Sequence, residues 1–435
     1  MANDTIFALS SAPGKSAIAV YRLSGPNSYD IITTLSKQKS FKSKRFYRGL
    51  LQDQETNEII DDVMYVFFGS PNSYTGEDMV EIYTHGSIAV GKSLISSLLK
   101  FPNVRYAEAG EFSKRALLNG KQDLTKIEGL MDLINSETEI QKKQAQMHMS
   151  GYFYDKIEEW RSNIVNIQSL LEAFIDFPDE EIPKDILDIA TNTITELKSS
   201  LKSFVNDNKK GERLRHGIKL AIYGKPNVGK SSLLNYLSGR EAAIVSNIAG
   251  TTRDTIETHV DIGGYPIILQ DTAGLRDSSC AIEIEGIKRA KKTVDQADIK
   301  IHMITPDDYV SSDTVVADDT ILVMNKIDLH LGDKTSNIQT LISVKKNIGL
   351  DLLLEEILNK AAHIAGSGNS LVINERHRSI IVNAIKALDA CDLNADLVLA
   401  AEDLRICSRV LGALIGKIDS EDILNKIFSS FCIGK

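Results

Sequence analysis

The chain has 435 residues, which at roughly 150 residues per domain predicts about three domains. Apolar residues make up 43% and charged residues 25% of it, so a disordered or fibrous protein is excluded. The net charge of −9 argues against binding to nucleic acid through bulk electrostatics, although a local basic patch is compatible with it.

The four cysteines, Cys280, Cys391, Cys407 and Cys432, lie far apart and form no C-x-x-C pair. This spacing argues against a disulfide framework or a cysteine-rich zinc site, and it fits a reducing cytosol. No run approaches the length of about 18 apolar residues that a membrane span needs, and the N-terminus lacks the pattern of a signal peptide. We therefore expect a cytoplasmic protein without a membrane segment.

The first two regions of the chain differ in periodicity. Residues 1–120 mix short β-branched and aromatic runs with Gly, Pro and Asn turn clusters, which predicts an α+β domain. Residues 121–215 are helical in pattern, because apolar side chains from Trp160 to Phe174 recur every three or four positions along one helix face. The prolines of the segment FPDEEIP should end that helix, and a second helix is expected from near Lys184.

Residues 216–367 alternate strand-like runs with helical stretches, a pattern typical of a mostly parallel sheet wrapped by helices. The strand-like runs are 218–223, 267–269, Ile299–Ile304 and Thr320–Met324. Residues 368–435 are helical again but few for a core of their own. We predict that they pack on the helices of 121–215, so that the α/β domain is inserted into one discontinuous helical domain.

The most specific motif is a phosphate-binding loop between a predicted strand and a predicted helix. Glycines in such a loop let backbone N–H groups surround phosphate oxygens, and the helix N-terminus faces the anion. Lys230 supplies positive charge for the β- and γ-phosphates, and the Ser231 hydroxyl can coordinate Mg²⁺. The motif G-x-x-x-x-G-K-[ST] is matched by Gly224-Lys225-Pro226-Asn227-Val228-Gly229-Lys230-Ser231-Ser232.

Three further segments complete a guanine nucleotide site. Asp271-Thr272-Ala273-Gly274 offers an aspartate to support Mg²⁺ and a glycine N–H to the γ-phosphate. In Asn325-Lys326-Ile327-Asp328, the Asp328 carboxylate can accept from N1–H and the exocyclic amine of guanine, which adenine does not offer. Ser343-Val344-Lys345 can close over the base. Four motifs in this order predict a site for GTP rather than ATP.

The machinery for hydrolysis differs from that of small signalling GTPases. Leu275 stands where those proteins carry a glutamine that orients the attacking water. The loop Ser246-Asn247-Ile248-Ala249-Gly250-Thr251-Thr252-Arg253-Asp254, together with Asn227, offers oxygens that can hold a monovalent cation in place of an arginine finger. Glu283 is a carboxylate that can position water, and a solvated helix charge is the alternative interpretation.

These segments, with the runs GTTRD and DTAGLR, resemble the potassium-dependent P-loop GTPases. The remainder is similar to one family of that group, the MnmE (TrmE) family of tRNA modification GTPases, and the similarity covers essentially the whole chain. It rests on Asn72-Ser73-Tyr74-Thr75-Gly76-Glu77-Asp78, on Gly110-Glu111-Phe112-Ser113-Lys114-Arg115-Ala116 and on the final Cys432-Ile433-Gly434-Lys435.

The resemblance implies a multidomain α+β and α/β fold. Its parts are an N-terminal α+β folate-binding-like dimerisation domain (1–120), a discontinuous α-helical domain (121–215 and 368–435) and an inserted P-loop α/β G domain (216–367). It further implies a homodimer whose G domains meet when K⁺ and GTP bind, with Mg²⁺ as a second cation. With an FAD-dependent partner, MnmG, the family installs a (carboxymethyl)aminomethyl group at C5 of the wobble uridine of certain tRNAs. A 5-formyl- or methylene-tetrahydrofolate derivative supplies the one-carbon unit.

The resemblance also assigns roles position by position. Folate contacts fall on Arg22, Glu81, Lys121 and Lys435. Without the resemblance, Arg22 is interpreted as an ordinary ion-pair partner, and Glu81 and Lys121 as ordinary surface charges. K⁺ ligands fall on Asn227, Ser246, Ile248 and Thr251, Mg²⁺ ligands on Ser231 and Thr252, and the catalytic set on Glu283, Lys230 and Thr251. The GTP-binding positions are Asn227, Val228, Gly229, Lys230, Ser231, Ser232, Ser246, Asn247, Ile248, Ala249, Gly250, Thr251, Asp271, Thr272, Ala273, Gly274, Asn325, Lys326, Asp328 and Ser343.

One further candidate residue, one departure and two other functions bear on this interpretation. Cys432 is a further candidate, because a cysteine thiolate can attack a carbon electrophile, although a cysteine so near the chain end is often merely exposed. Val344 stands where the family usually has alanine, which should crowd the base and weaken guanine binding.

A ribosome-assembly GTPase switch that binds RNA without modifying it is the alternative, and it predicts a second G domain or a basic module. A folate-binding scaffold with a decayed GTPase is disfavoured by the intact phosphate and base motifs.

Overall fold

The computed structural model describes residues 4–176, 186–207, 211–240, 257–270, 291–308, 317–329, 340–366, 373–417, 428 and 434. The chain forms two compact units, Met1–Ile127 with Gly412–Lys435, and Glu128–Leu411. These units are coarser than the three predicted domains, whose boundaries stay predictions. Within the ranges given above, no helix combines the length and the apolar character needed to cross a membrane.

A six-stranded sheet forms the centre of the first unit. Its strands are β1 (Thr5–Leu9), β2 (Ser16–Ser24), β3 (Phe46–Gln52), β4 (Ile59–Phe68), β5 (Met79–Gly86) and β6 (Val104–Tyr106), with helices α1 (Ser28–Ser36), α2 (Ile88–Leu98) and α3 (Glu111–Leu118). The spatial order is β3-β4-β5-β2-β1-β6, and every neighbouring pair is antiparallel except β1 and β6. This unit agrees with the predicted α+β class of the N-terminal region.

One face of this sheet is covered by helices. Because side chains alternate between the two faces of a strand, Tyr21, Tyr65 and Ile82 point to the same side. They are buried there together with Ile32 of α1 and Leu94 of α2. The α+β core predicted from the apolar runs therefore lies between the sheet and these two helices.

The other face of the sheet is covered at one end and open at the other. Ala8 of β1 is buried there with Phe112 of α3. Across β3 and β4, the side chains of Phe46, Leu50 and Met64 are 54%, 44% and 47% exposed. An apolar sheet surface of this kind is uncommon on an isolated domain and marks a place where another surface can bind.

The second unit combines helices with a second six-stranded sheet. Its helices are α4 (Leu124–Asn135), α5 (Glu139–Met149), α6 (Tyr152–Asp176), α7 (Ile186–Asp207), α8 (Gly211–His216), α9 (Lys230–Arg240), α10 (Leu350–Ala365), α11 (Glu375–Ala390) and α12 (Leu397–Gly412). Its strands are β7 (Ile218–Gly224), β8 (Glu257–Ile262), β9 (Tyr265–Gln270), β10 (Ile299–Ile304), β11 (Thr320–Met324) and β12 (Thr340–Leu341).

The second sheet has the order β12-β11-β10-β7-β9-β8 and is parallel except for β8, which runs antiparallel to β9. The four strand-like runs predicted in this region fall within β7, β9, β10 and β11, as expected. The edge strand β8 was not predicted, because its sequence ETHVDI alternates polar with apolar residues and lacks the continuous apolar run of a central strand. The carboxyl end of β7 leads directly into the phosphate-binding loop.

The predicted amphipathic helix is α6. Trp160, Ile164, Ile167 and Leu171 of its apolar face are all at least 97% buried, as the three-and-four spacing requires. The Trp160 indole N–H donates to the Ser200 hydroxyl of α7 at 3.1 Å. Helix α11 packs against α7, so residues beyond 368 contact the helices that precede the α/β region.

A buried carboxylate joins the two helical segments. The Arg376 guanidinium donates to both carboxylate oxygens of Glu128, at 3.0 and 2.7 Å. The His377 ring lies 2.6 Å from the same carboxylate, and the Asn374 amide donates to it at 3.1 Å. Glu128 lies on α4 and its partners lie on or beside α11, so a satisfied polar cluster specifies how the two helices meet.

Candidate functional site

The loop after β7 has the backbone geometry that phosphate binding requires. Asn227 and Gly229 have positive φ angles of 65° and 102°, which turn successive N–H groups toward one side of the loop. A Cβ atom on Gly229 would lie 2.3 Å from the Asn325 amide nitrogen, so only glycine fits there. The loop therefore closes tightly against the neighbouring segment that carries Asn325.

The charged and hydroxyl groups of the loop gather at its mouth. The Lys230 ammonium donates to the carbonyl oxygens of Gly224 and Lys225, at 2.9 and 2.8 Å. Ser231 and Ser232 are exposed in the first turn of α9, where the helix dipole favours an anion and a hydroxyl can face a cation. This places a positive charge and two hydroxyls around the volume that the loop encloses.

The predicted base-recognition segment is bonded to this loop. The Asn325 side chain donates from Nδ2 to the Val228 carbonyl at 2.8 Å and accepts the backbone N–H of Val344 at 3.2 Å. The Lys326 ammonium donates to the Asn227 carbonyl at 2.6 Å. Asn325 is 97% buried, so these bonds fix the distance between the phosphate loop and the base segment.

The carboxylate of Asp328, the predicted base contact, is stabilised in its ionised form. Asp328 accepts a hydrogen bond from the Ser343 hydroxyl at 2.7 Å. This bond, with smaller contributions from Lys345 and Lys346, lowers the pKa of the Asp328 carboxyl below its ordinary value. An ionised carboxylate with a free lone pair is the acceptor that the N1–H and amino groups of guanine need. Ser343, predicted to close over the base, is itself fully buried.

Many predicted site residues lie outside the described residues. They are Ser246, Asn247, Ile248, Ala249, Gly250, Thr251, Thr252, Asp271, Thr272, Ala273, Gly274, Glu283, Lys435 and Cys432. Their assignments as K⁺, Mg²⁺, γ-phosphate, catalytic and folate residues stay predictions. The described part of the chain does bring together Asn227, Val228, Gly229, Lys230, Ser231, Ser232, Asn325, Lys326, Asp328 and Ser343.

The predicted folate residues Arg22 and Glu81 form an ion pair on the second face of the first sheet. Arg22 donates from Nε and Nη2 to Glu81 Oε1, at 3.1 and 2.8 Å. The other oxygen of Glu81 accepts from the Tyr83 hydroxyl at 2.8 Å. Burial, together with this bond to Glu81, raises the pKa of Tyr83 to about 12, so its hydroxyl stays a donor.

Aromatic rings enclose this ion pair on one side. The Arg22 guanidinium lies 5.5 Å from the Tyr74 ring centre and 5.8 Å from that of Phe112. The Tyr74 hydroxyl is hydrogen-bonded to the Ser113 hydroxyl at 2.9 Å, and burial raises the pKa of Tyr74. A flat aromatic ligand could stack beside such rings while its polar groups meet the guanidinium and carboxylate.

Lys121, a third predicted folate residue, and Gly434, which precedes the predicted Lys435, lie in the same unit. A Cβ atom on Gly76 would lie 3.1 Å from Cγ and Cε of Lys121, so the Lys121 side chain runs beside the loop that holds Tyr74. Gly434 accepts a hydrogen bond from the Ser10 hydroxyl at 3.0 Å, directly after β1. Residue 434 therefore lies one strand away from Arg22, because β1 pairs with β2.

Some contributors were missed by the sequence analysis. Tyr74 and Phe112 lie inside the two motifs that carried the resemblance, yet neither was assigned a role. Tyr83 follows Glu81 by two residues, so strand alternation alone places both on one face. The bridge from Asn325 to Val228 had no sequence signal, because the two residues are 97 positions apart.

Comparison with known proteins finds matches to family models along most of the chain. The family model "GTP-binding protein TrmE N-terminus" matches residues 5–121, and the model "MnmE helical domain" matches residues 124–432. The G domain of the T. maritima FeoB iron transporter, a solved structure, is 28% identical over 33% of this chain and 98% of its own, with a TM-score of 0.22. A TM-score this low does not support any conclusion from this similarity.

Two curated relatives match almost end to end. The tRNA modification GTPase MnmE of Rickettsia rickettsii (strain Sheila Smith) is 51% identical over 444 residues, covering 99% of this chain and 100% of its own. The protein of the same name from Rickettsia bellii (strain RML369-C) is 50% identical with the same coverage. The resemblance seen in the sequence is thereby confirmed, and the chain belongs to the MnmE family of tRNA modification GTPases.

Proposed function

We propose that this protein hydrolyses GTP to drive the modification of tRNA at the wobble uridine, acting in the cytoplasm with an FAD-dependent partner of the MnmG type. The product is a (carboxymethyl)aminomethyl group at C5. The observation that carries the nucleotide part is the bonded pair of motifs, in which Asn325 ties the base segment to the Val228 carbonyl. This link supports a single nucleotide site that includes both Asp328 and Lys230. The tRNA part rests on family membership.

The described residues fit a Mg²⁺ nucleotide complex. The Ser231 hydroxyl is exposed beside Lys230, and the tight position of Gly229 leaves room for phosphate oxygens rather than a side chain. When bound, Mg²⁺ neutralises charge on the β- and γ-phosphates. The Lys230 ammonium, now directed at two loop carbonyls, is long enough to turn toward the phosphates. Ser231, with Thr252 as the second expected ligand, would hold the metal.

K⁺ is proposed to take the place of an arginine finger. Asn227 is exposed and lies in the loop in a left-handed conformation, so its side chain is accessible to a cation. The other expected ligands are Ser246, Ile248 and Thr251, and Glu283 is expected to position the attacking water. A K⁺ ion beside Asn227 would lie where a second G domain approaches. Hydrolysis would then depend on the two G domains coming together.

The N-terminal unit is proposed to bind a 5-formyl- or methylene-tetrahydrofolate derivative and to form the homodimer. The ion pair of Arg22 and Glu81 offers both donors and an acceptor to a fused ring, as pterin recognition requires. The open apolar surface of Phe46, Leu50 and Met64 adjoins this site and supports dimerisation there, since pairing would bury it. Lys121, Lys435 and Cys432 would border the same site.

Two measurements test this proposal separately. GTP hydrolysis by the full-length protein is compared in KCl and NaCl at equal ionic strength, and we expect strong stimulation by K⁺. Equal slow rates in both salts would refute the K⁺ mechanism. Wobble nucleosides are then analysed by mass spectrometry after incubating tRNA with the protein, its flavoprotein partner, GTP, NADH, methylene-tetrahydrofolate and either glycine or an ammonium salt as the nitrogen donor. Modified uridine is expected only with all components, and its absence despite active hydrolysis would favour a switch that binds RNA without modifying it.

A further inference from the structure

A cavity of about 310 Å³ lies between α4, α5 and α8, away from the nucleotide and folate sites. Its polar lining includes Asp132, Asn135, Gln144, His148, Arg215 and His216. This volume is at the lower end of those that hold small ligands. Helix α8 ends two residues before β7, so the cavity adjoins the strand that carries the phosphate-binding loop.

The walls of this cavity are fixed by buried contacts. The Gln141 amide, held in the capping box at the start of α5, donates to the Leu214 carbonyl at the end of α8, at 3.1 Å. The His148 ring stacks on that of His377 with centres 6.2 Å apart, beside the buried Glu128 cluster. The cavity is therefore a defined feature of the second unit and not a surface irregularity.

Two groups in this cavity have hydrogen-bonding capacity that the protein does not use. The Gln144 side chain is 95% buried, and its Nε2 donor has no partner within the described ranges. Arg215 donates from Nε to Asp132 Oδ1 at 2.6 Å, while its two terminal amino groups have no hydrogen bond to any described residue. The Arg215 side chain is 29% exposed, so only the Gln144 donor is buried; a buried donor without a partner is rare in folded proteins, because it costs about 1–3 kcal/mol when left unpaired.

The unused groups have one chemical character. Both are donors, and the terminal fork of an arginine matches two oxygens of a carboxylate or phosphate. The single lining carboxylate, Asp132, is already engaged by Arg215. Burial raises the pKa of Asp132, although the charge of Arg215 opposes this shift.

We propose that this cavity binds a small oxyanion, a carboxylate or a phosphate ester, through Arg215 and Gln144. The anion would accept from the arginine fork on one side and from the Gln144 amide on the other. Because α8 leads into β7, an anion bound in the cavity would hold the start of the G domain against α4 and α5. The site is separate from the GTP and folate sites, and the proposal does not depend on tRNA modification.

The test uses the full-length protein loaded with Mg·GDP, so that added phosphate does not enter the phosphate-binding loop. The eight histidines are labelled with ¹³C at Cε1, and the signals of His148 and His216 are assigned with His148→Gln and His216→Gln. Inorganic phosphate and malonate are titrated separately against NaCl at constant ionic strength. We expect these two signals to shift and saturate, while the exposed His363 does not respond. Saturation by one anion alone identifies the chemical class, and saturation by neither overturns the proposal.

Variants separate binding from folding. Gln144→Leu removes the unpaired donor at similar volume, so we expect it to abolish saturation while keeping or raising Tm. Arg215→Gln should weaken binding at least about tenfold, whereas Arg405→Gln, which removes an exposed arginine of α12, should leave binding unchanged. An unchanged curve in Gln144→Leu contradicts the proposal. A marked loss of Tm in that variant also contradicts it, because the amide would then serve the fold rather than a ligand.

Discussion

The Asn325 amide and the Val228 carbonyl form a buried hydrogen bond of 2.8 Å between the predicted base-recognition segment and the predicted phosphate-binding loop. The same side chain accepts the Val344 backbone N–H at its other end. One residue therefore links three predicted motifs, and we expect nucleotide affinity to depend on it even if it does not touch the guanine ring.

Replacing Asn325 with alanine should disconnect these motifs. Both partners, the Val228 carbonyl and the Val344 N–H, would lose a buried bond, at about 1–3 kcal/mol of destabilisation. We expect GDP affinity to fall by roughly tenfold or more and the thermal transition to move down, as measured by fluorescent-GDP binding and calorimetry. Asn394→Ala, in an exposed loop between α11 and α12, is the matched control. Equal GDP affinity in the two variants would show that the bridge is dispensable.

Asp328 offers a test of base specificity. Asp328→Asn replaces two acceptor sites with one donor and one acceptor, which no longer match the N1–H and amino groups of guanine. We expect GTP affinity to fall roughly 10- to 100-fold and xanthosine triphosphate, which carries a carbonyl in place of the amine, to bind better than GTP. Competition binding with both nucleotides measures this reversal. Loss of affinity for both nucleotides alike would instead indicate a general structural defect.

Gly229 and Gly239 give a matched pair of glycine substitutions. Gly229→Ala places a Cβ atom 2.3 Å from the Asn325 amide at a φ of 102°, so we expect the phosphate loop to lose nucleotide binding. Gly239 lies within α9 with nothing inside 4 Å of its added Cβ. Gly239→Ala should therefore preserve binding and stabilise the helix by up to about 1 kcal/mol. Fluorescent-GDP titration of both variants tests the pair, and normal binding by Gly229→Ala contradicts the assigned geometry.

The family and the enzyme class could be predicted from the sequence for a physical reason. Phosphate and guanine recognition depend on short contiguous segments, such as the loop from Gly224 to Ser232, whose spacing is visible in one dimension. Family membership confirms that resemblance and the enzyme class, a GTPase. The bridge by Asn325 and the polar cavity around Gln144 depend on contacts between residues far apart in the chain, which no local pattern encodes.

The two sheets show the same difference between features that a local sequence pattern predicts and features that depend on tertiary contacts. A fully buried strand such as β9, YPIILQ, reads as an apolar run, so its position was predicted. The edge strand β8 has one polar side, and its pairing with β9 is set by tertiary contacts rather than by composition. For Arg22 the resemblance suggested a ligand contact, while the residue alone suggested an ion pair with a neighbouring acid. The structure contains that ion pair, with Glu81 as the partner, and the folate role stays a proposal.

The proposed folate contact by Arg22 can be separated from its structural role. Arg22→Met keeps the aliphatic stem against Tyr74 but removes the donors, so we expect the affinity for 5-formyl-tetrahydrofolate to fall by roughly tenfold or more. Arg48→Met removes a comparable 2.8 Å ion pair, with Asp62, from an exposed position on the same sheet. It should leave folate binding unchanged, as measured by quenching of intrinsic fluorescence. Equal losses in the two variants would mean that sheet stability, and not ligand contact, explains the effect.

The buried pair of His377 and Glu128 should make the second unit sensitive to mild acid. Burial lowers the pKa of His377 from its ordinary value of 6.5 to about 4, although Glu128 opposes this. The neutral ring donates from Nε2 to Glu128 and accepts the Asn374 N–H at Nδ1. Burial alone would raise the pKa of Glu128, but His377 and Arg376 hold it well below its usual range. Glu128 therefore stays ionised while His377 is neutral.

The direction of the pH effect follows from the His377 shift. The unfolded chain binds a proton at this histidine near pH 6.5 and the folded chain does so only near pH 4, so its contribution is complete above pH 6.5 and is lost as the pH falls toward 4. Between pH 7.5 and pH 5 the loss is about 2 kcal/mol, or roughly 4–8 °C in Tm. His377→Gln keeps a neutral donor and acceptor but cannot take up the proton, so its Tm should fall less over this range. His363→Gln, at an exposed position of α10, should follow the parent protein, and identical pH profiles for all three proteins would refute the assignment.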